Sequence, residues 1–102
     1  MYLIQLLLPL YDNEGCLFPH ADFDGIRETL TAQFGGVTAF VRVPAEGAWQ
    51  EHGGLVSHDE VVILEVMADA LDHDWWAQYR EELRCHFRQK DLVIRAIPIE
   101  RL

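Results

Sequence analysis

Apolar positions along this chain switch between two periods, and the switches mark its elements. Tyr2 to Leu8 is a near-continuous apolar run, as expected of a central strand covered on both faces. Pro9 stands at its end, where a ladder donor is no longer required. Tyr11 to Ala21 reads as a loop: Asp12-Asn13-Glu14-Gly15 is turn chemistry, and Pro19 interrupts again. Asp22 is a residue type that caps helices, and after it Phe23, Ile26, Leu30 and Phe34 fall on one helical face. Asp24 suits the positive end of that helix dipole, while Gly25 weakens the first turn by about 1 kcal/mol relative to alanine. Gly35-Gly36 supply the left-handed conformation that closes a helix, and a side chain with a Cβ resists it. The β-branched and aromatic run Val37 to Val43 then predicts a second strand.

The same pattern returns in the second half. Pro44 to His58 is a long connection carrying Glu46-Gly47-Ala48-Trp49 and Gly53-Gly54, near the length at which loops are functional or disordered. Glu60 to Met67 predicts a third strand. Asp72 and Asp74 open a second helix, and Arg84, Arg88 and Lys90 close it, matching the dipole at both ends. Trp76, Tyr79, Leu83 and Phe87 form its inner face with the spacing of Phe23, Ile26, Leu30 and Phe34. Leu92 to Ile99 is the last strand, with Pro98 where an edge strand tolerates it. Strand–helix–strand is thus written twice. That predicts an α+β fold of ferredoxin-like βαββαβ layout: a four-stranded antiparallel sheet with two helices on one face, one domain over residues 1–102. Right-handed crossovers give the spatial order fourth, first, third, second.

Sorting the strands by face separates two surfaces. Ile4/Leu6/Leu8, Val37/Ala39/Val41/Val43, Val62/Leu64/Val66 and Leu92/Ile94/Ala96 are wholly apolar and should lie under the helices. The other face carries Leu3/Gln5/Leu7, Thr38/Phe40/Arg42, Val61/Ile63/Glu65/Met67 and Val93/Arg95/Ile97. No helix is left to cover it, yet it is mostly apolar, and such a face meets a partner. Two copies stacked about a two-fold axis bury it symmetrically, so a homodimer is expected.

Composition narrows the partners. The chain has 102 residues, 50% hydrophobic and 25% charged, which is normal for one globular domain. Its net charge of −9 repels a phosphate backbone, so no nucleic-acid partner is expected. The apolar N-terminus lacks a basic leader and is too short to span a bilayer, so it reads as a strand and no membrane association is expected. Cys16 and Cys85 are the two cysteines. With no leader before them they read as reduced thiols of a cytoplasmic protein.

The element order, the length and the apolar helix-free face together resemble the dimeric α+β barrel superfamily, over essentially the whole chain. That group includes cofactor-free monooxygenases, muconolactone-isomerase-like enzymes and haem-dependent members, alongside many small uncharacterised bacterial proteins. The resemblance implies a homodimer with a small-molecule site between sheet and helices. It transfers no catalytic residue, because none of the group's catalytic motifs is recognisable, and no cofactor is expected.

Candidate chemistry collects at one end of this layout. The Tyr11–Ala21 loop, the Pro44–His58 loop and the end of the second helix bring Tyr11, Asp12, Cys16, His20, Trp49, His52, His58, His86 and Lys90 there. Imidazoles, a thiol and aromatics at a pocket mouth are the residue types for acid–base work or metal binding. The plain alternative is that surface loops collect polar residues, and neither His-x-x-x-His nor Cys-x-x-Cys spacing occurs, so no metal site is expected. Trp49 is the expected wall or lid, with His52, His58 and His20 as candidates for proton transfer. On the helix-free face, Gln5, Arg42, Glu65 and Arg95 should form a row with Glu65 beside Arg42 and Gln5 between Glu65 and Arg95. That row is either a network fixing dimer register or a clamp for a substrate carboxylate. Trp75, Trp76 and Tyr79 are core or the wall of a ligand pocket between helix and sheet. Arg80, Arg84 and Arg88 recur every fourth residue, as a docking stripe for an acidic partner or a solvated stripe balanced by Glu81 and Glu82. Two functions follow: a protein that binds or transforms a small organic molecule, or an interaction module without chemistry whose main feature is its dimer interface.

Overall fold

The computed structural model describes the backbone of residues 1–42, 50–51, 55–56 and 60–102. Its elements are β1 (Tyr2–Pro9), α1 (His20–Phe34), β2 (Thr38–Arg42), β3 (Gln50–Glu51), β4 (Leu55–Val56), β5 (Val61–Ala68), α2 (His73–His86) and β6 (Val93–Pro98). The described residues form an α+β fold, with two helices and an antiparallel sheet in the order β2-β5-β1-β6; β3 and β4 pair antiparallel in a separate two-stranded sheet. Among the described residues no helix is long and apolar enough to cross a membrane.

β1 lies inside the sheet, between β5 and β6. It is covered on one face rather than on both. Ile4, Leu6 and Leu8 are at most 1% exposed, whereas Leu3, Gln5 and Leu7 are half-buried because both helices lie on the other side. The core joins Ile4, Leu6 and Leu8 to Val62, Leu64, Val66, Leu92, Phe23, Ile26, Leu30, Tyr79, Leu83 and Phe87. Burying one such aliphatic or aromatic side chain contributes roughly 1.5–3 kcal/mol, so this layer is the main source of stability.

The helix ends differ from the sequence reading in two places: α1 starts earlier, and α2 ends at His86, so that Arg88 and Lys90, expected to close it, lie beyond its last turn. α1 begins three residues earlier, behind Pro19, and no side chain caps it; Asp22 lies inside the first turn. Pro19 fixes the entering backbone at φ −58°, and the Asp22 N–H bonds the Pro19 carbonyl at 3.1 Å, which frees the Asp22 carboxylate for another partner. Gly35 ends α1 with φ 82°, the left-handed value expected of the glycine pair. α2 starts on Asp72, whose Oδ1 accepts the Trp75 N–H at 3.1 Å. It ends in the same way as α1 but without glycine: Arg88 has φ 54°, the Arg88 N–H bonds the Cys85 carbonyl, and the Gln89 N–H bonds the Arg84 carbonyl.

The helices run antiparallel over the sheet and meet through aromatic rings. Phe34, at the end of α1, stacks on Trp76 at 5.2 Å and 14°. Trp75 packs edge-on against both Phe34 and Trp76 and tilts over Tyr79. At the opposite end Phe87 meets Phe18 at 4.8 Å and Phe23 at 5.7 Å.

The helix-free face is only partly bare. Met67, Val93 and Ile97 are 52%, 46% and 41% exposed. Ile63, expected to lack cover within the chain, is 1% exposed. Its strand β5 has neighbours on both sides, with Leu7 and Phe40 as its register partners, whereas Val93 and Ile97 stand on the edge strand β6. Ala96, on the same edge strand, lies on the helix side as expected but is exposed there.

Candidate functional site

The Tyr11–Ala21 loop and the end of α2 do come together. Asp12 organises the loop: its Oδ1 accepts the N–H groups of Glu14 and Cys16, each at 2.9 Å, and Gly15 turns at φ 83°. Tyr11 bridges to Leu17, and the Phe18 N–H bonds the Leu10 carbonyl. The Asn13 amide donates to the Arg88 carbonyl at 3.1 Å, tying the loop to the left-handed residue behind α2. The Asp22 carboxylate, left free at the start of α1, lies 2.9 Å from His86 Nε2 in the last turn of α2. Between them opens a cavity of about 350 Å³ lined by Asp12, Asn13, Glu14, Phe18, Asp22, His86, Phe87 and Arg88.

A second cavity, of about 250 Å³, lies under the other end of α2. Ile4, Leu71, His73, Trp76, Ile94, Arg95 and Ala96 line it. Its floor is core: Ile4 is 1% exposed, and Leu71, Trp76 and Ile94 pack against the same cluster. The stack on Phe34 holds the Trp76 ring as a fixed wall. Ala96 leaves room that a longer side chain would take, and His73, the first residue of α2, is the imidazole in the lining.

The polar row across the helix-free face assembles from three residues. Gln5 pairs in register with Glu65 on one side and Arg95 on the other. Its Nε2 donates to Glu65 Oε2 at 2.7 Å, and its Oε1 accepts from Arg95 Nε at 2.7 Å. Arg42 is not beside Glu65. The β2–β5 register sets Thr38 opposite Glu65 and Arg42 opposite Val61, four residues further along. That register aligns Ala39, Phe40 and Val41 with Leu64, Ile63 and Val62, apolar on apolar. An even-numbered slip preserves the face of every side chain, so facing alone does not choose between the two registers.

The remaining candidates sort as follows. His20 is exposed at the start of α1 and is not in either cavity lining; Tyr11 is half-buried in the loop. Trp49, His52 and His58 lie outside the described residues. Tyr79 is 9% exposed and belongs to the core, while Trp76 is both core neighbour and cavity wall. Burial pushes the Tyr79 hydroxyl above its usual pKa, opposed by a hydrogen bond to Thr29. Of the arginine stripe, Arg80 pairs with Asp91 at 2.9 Å and bonds the Leu92 carbonyl, and Arg84 pairs with Glu81. The Arg84 guanidinium holds the Glu81 carboxyl below its usual range. Cys16 and Cys85 are free and exposed. Among the described residues no cluster of His, Cys, Asp and Glu has the arrangement to hold a metal ion. The pairing of Asp22 with His86 was hidden because Asp22 reads as a helix cap. The one available signal was the preceding Pro19, which also starts helices.

Comparison with protein-family models, with curated proteins and with solved structures finds no match to the chain.

Proposed function

We propose that the chain binds, and in one reading transforms, a small organic molecule in the slot between α2 and the sheet, and that it works as a homodimer. The observation that carries the ligand reading is the slot itself. It has an apolar floor of Ile4, Leu71 and Ile94, a rigid indole wall at Trp76 and an imidazole at His73. Such a lining suits a single aromatic or alicyclic ring carrying one polar group. It agrees with the sheet-and-helix site implied by the ferredoxin-like, dimeric α+β barrel resemblance.

The dimer rests on the bare apolar surface of Met67, Val93 and Ile97 around the Glu65–Gln5–Arg95 row. The row is acidic at one end and basic at the other. A two-fold axis running along β1 sets each Arg95 over Glu65 of the partner subunit; an axis across the strands sets like charge on like. The face is self-complementary about the first axis, as an isologous interface requires. Open apolar surface of this kind also supports a second reading, an interaction module without chemistry in which the interface is the main feature.

A thermal-shift screen against small aromatic acids and their neutral amides separates the two. A ligand of the slot raises Tm with concentration, by about 2.7 kcal/mol of added stability at a hundredfold excess over Kd. Ala96→Leu, which fills the slot from an exposed edge position, abolishes that shift. Equal shifts in both proteins rule out the slot, and no shift with any compound leaves the interaction module as the function.

A further inference from the structure

The cavity at the far end of α2, where His86 lies about 15 Å along the helix axis from Trp76, carries a separate inference that does not depend on the slot. We propose that it is a proton-transfer site in which His86 is the base and Asp22 the residue that positions it.

The geometry assigns the imidazole nitrogens. His86 Nε2 lies 2.9 Å from Asp22 Oδ1. A carboxylate only accepts, so Nε2 carries the hydrogen and Nδ1 holds the lone pair. Among the described residues Nδ1 has no hydrogen-bond partner. The ring is fixed on a second side as well, edge-on to Phe87 at 5.2 Å, and Phe87 is fully buried. Asp22 is itself well held, at 23% side-chain exposure, while His86 remains 53% exposed and open to a substrate. A base in reach of solvent, oriented by a carboxylate and opening on a cavity of about 350 Å³, is the arrangement general-base catalysis uses.

Charge selects the substrate. The lining sets the carboxylates of Asp12, Glu14 and Asp22 against the single guanidinium of Arg88. The chain as a whole carries −9, which adds to the same field. Anions are disfavoured. The substrate class is a small neutral or ammonium-bearing molecule that gives up an O–H or N–H proton, directly or through water, with its apolar part against Phe18. In the step, that proton passes to Nδ1. The Nε2–H bond to Asp22 stabilises the imidazolium, which returns its proton to solvent.

Activated esters report on such a base without knowledge of the natural substrate. With p-nitrophenyl acetate, water gives a proton to Nδ1 as its oxygen bonds to the carbonyl carbon. The ester C–O bond then breaks and p-nitrophenolate leaves. Hydrolysis by the full chain should fall at least about tenfold in His86→Gln. Asp22→Asn keeps an acceptor for Nε2–H, so the helix ends stay tied while the charge is lost; its rate should fall comparably. The anionic mono-p-nitrophenyl succinate should turn over more slowly than the acetate, and Glu14→Gln should narrow that gap. Long-range proton–nitrogen spectra of the wild type should show the Nε2–H tautomer at His86, and Asp22→Ala should lose that preference. Full activity in a folded His86→Gln overturns the proposal, as does equal turnover of the two esters. Should His86→Gln fail to fold, full activity in Asp22→Asn or an Nδ1–H tautomer in the wild type overturns it equally.

Discussion

Replacing Arg88 with glycine should make this protein more stable at high ionic strength, although it removes a charged side chain beside a cavity. Arg88 holds φ 54° behind α2, a conformation that costs a residue with a Cβ about 1–2 kcal/mol. Its backbone role survives substitution. The Arg88 and Gln89 N–H groups bond the Cys85 and Arg84 carbonyls, and the Asn13 amide uses the Arg88 carbonyl, none of which needs a side chain. Two terms oppose the gain. Glycine gains freedom in the unfolded chain, worth roughly 0.5–1 kcal/mol. A cation is also lost at the negative end of a helix, worth about 0.3–1 kcal/mol at low salt. The balance is near zero at low ionic strength. In about 0.5 M salt the charge term is screened, and the net gain should be about 0.5 kcal/mol, a Tm rise of about 2–4 °C. Urea unfolding at the two salt concentrations measures it. Gly35→Ala is the matched control: φ is 82° and a Cβ there meets nothing within 4 Å, so strain alone should cost about 1 kcal/mol. Arg88→Gly destabilising in high salt, or Gly35→Ala proving neutral, would refute the reasoning that both helices end on a left-handed residue.

Three further outcomes follow from single contacts. Gly25 sits inside α1 with open space around its would-be Cβ, so Gly25→Ala should raise stability by about 0.5–1 kcal/mol in chemical denaturation. Tyr79 has its pKa raised by burial. Its contribution is therefore complete below pH 10 and lost as pH rises through the folded value, so Tyr79→Phe should flatten the fall of Tm above pH 10. Gln5→Leu strips both Glu65 and Arg95 of their shared partner. It should lower stability by about 1–3 kcal/mol if the row is buried between subunits, against about 0–1 kcal/mol if it faces water.

Much of the architecture was legible because it rests on local rules. The repeated Phe23/Ile26/Leu30/Phe34 and Trp76/Tyr79/Leu83/Phe87 spacing placed both helices, and the glycine pair placed the end of the first. The period-two sorting of β1, β5 and β6 identified the face under the helices; Ala96 faces the slot beneath α2 but is exposed there on the edge strand, and Ile63, sorted to the other face, is buried as well. What failed was non-local. Nothing in the sequence weighs an even-numbered slip of β2 on β5, so Arg42 went to Glu65 instead of Val61. Asp22 took the role of a cap because that reading is local, whereas its partner His86 is 64 residues away. The Trp76 slot was anticipated only as one of two uses of an aromatic row, since cavity and core are lined by the same residue types. The proton-transfer candidates His52 and His58 and the lid Trp49 fall outside the described residues. Among the described residues, the imidazole that meets a carboxylate is His86, on α2.

Both readings of function require the helix-free face to close on a second copy, so sedimentation equilibrium at tens of micromolar is the most direct test. A species of twice the 11.8 kDa chain mass is expected, dissociating when Ile97→Glu places charge among Met67, Val93 and Ile97. A monodisperse species of 11.8 kDa, unchanged by that substitution, would contradict the account.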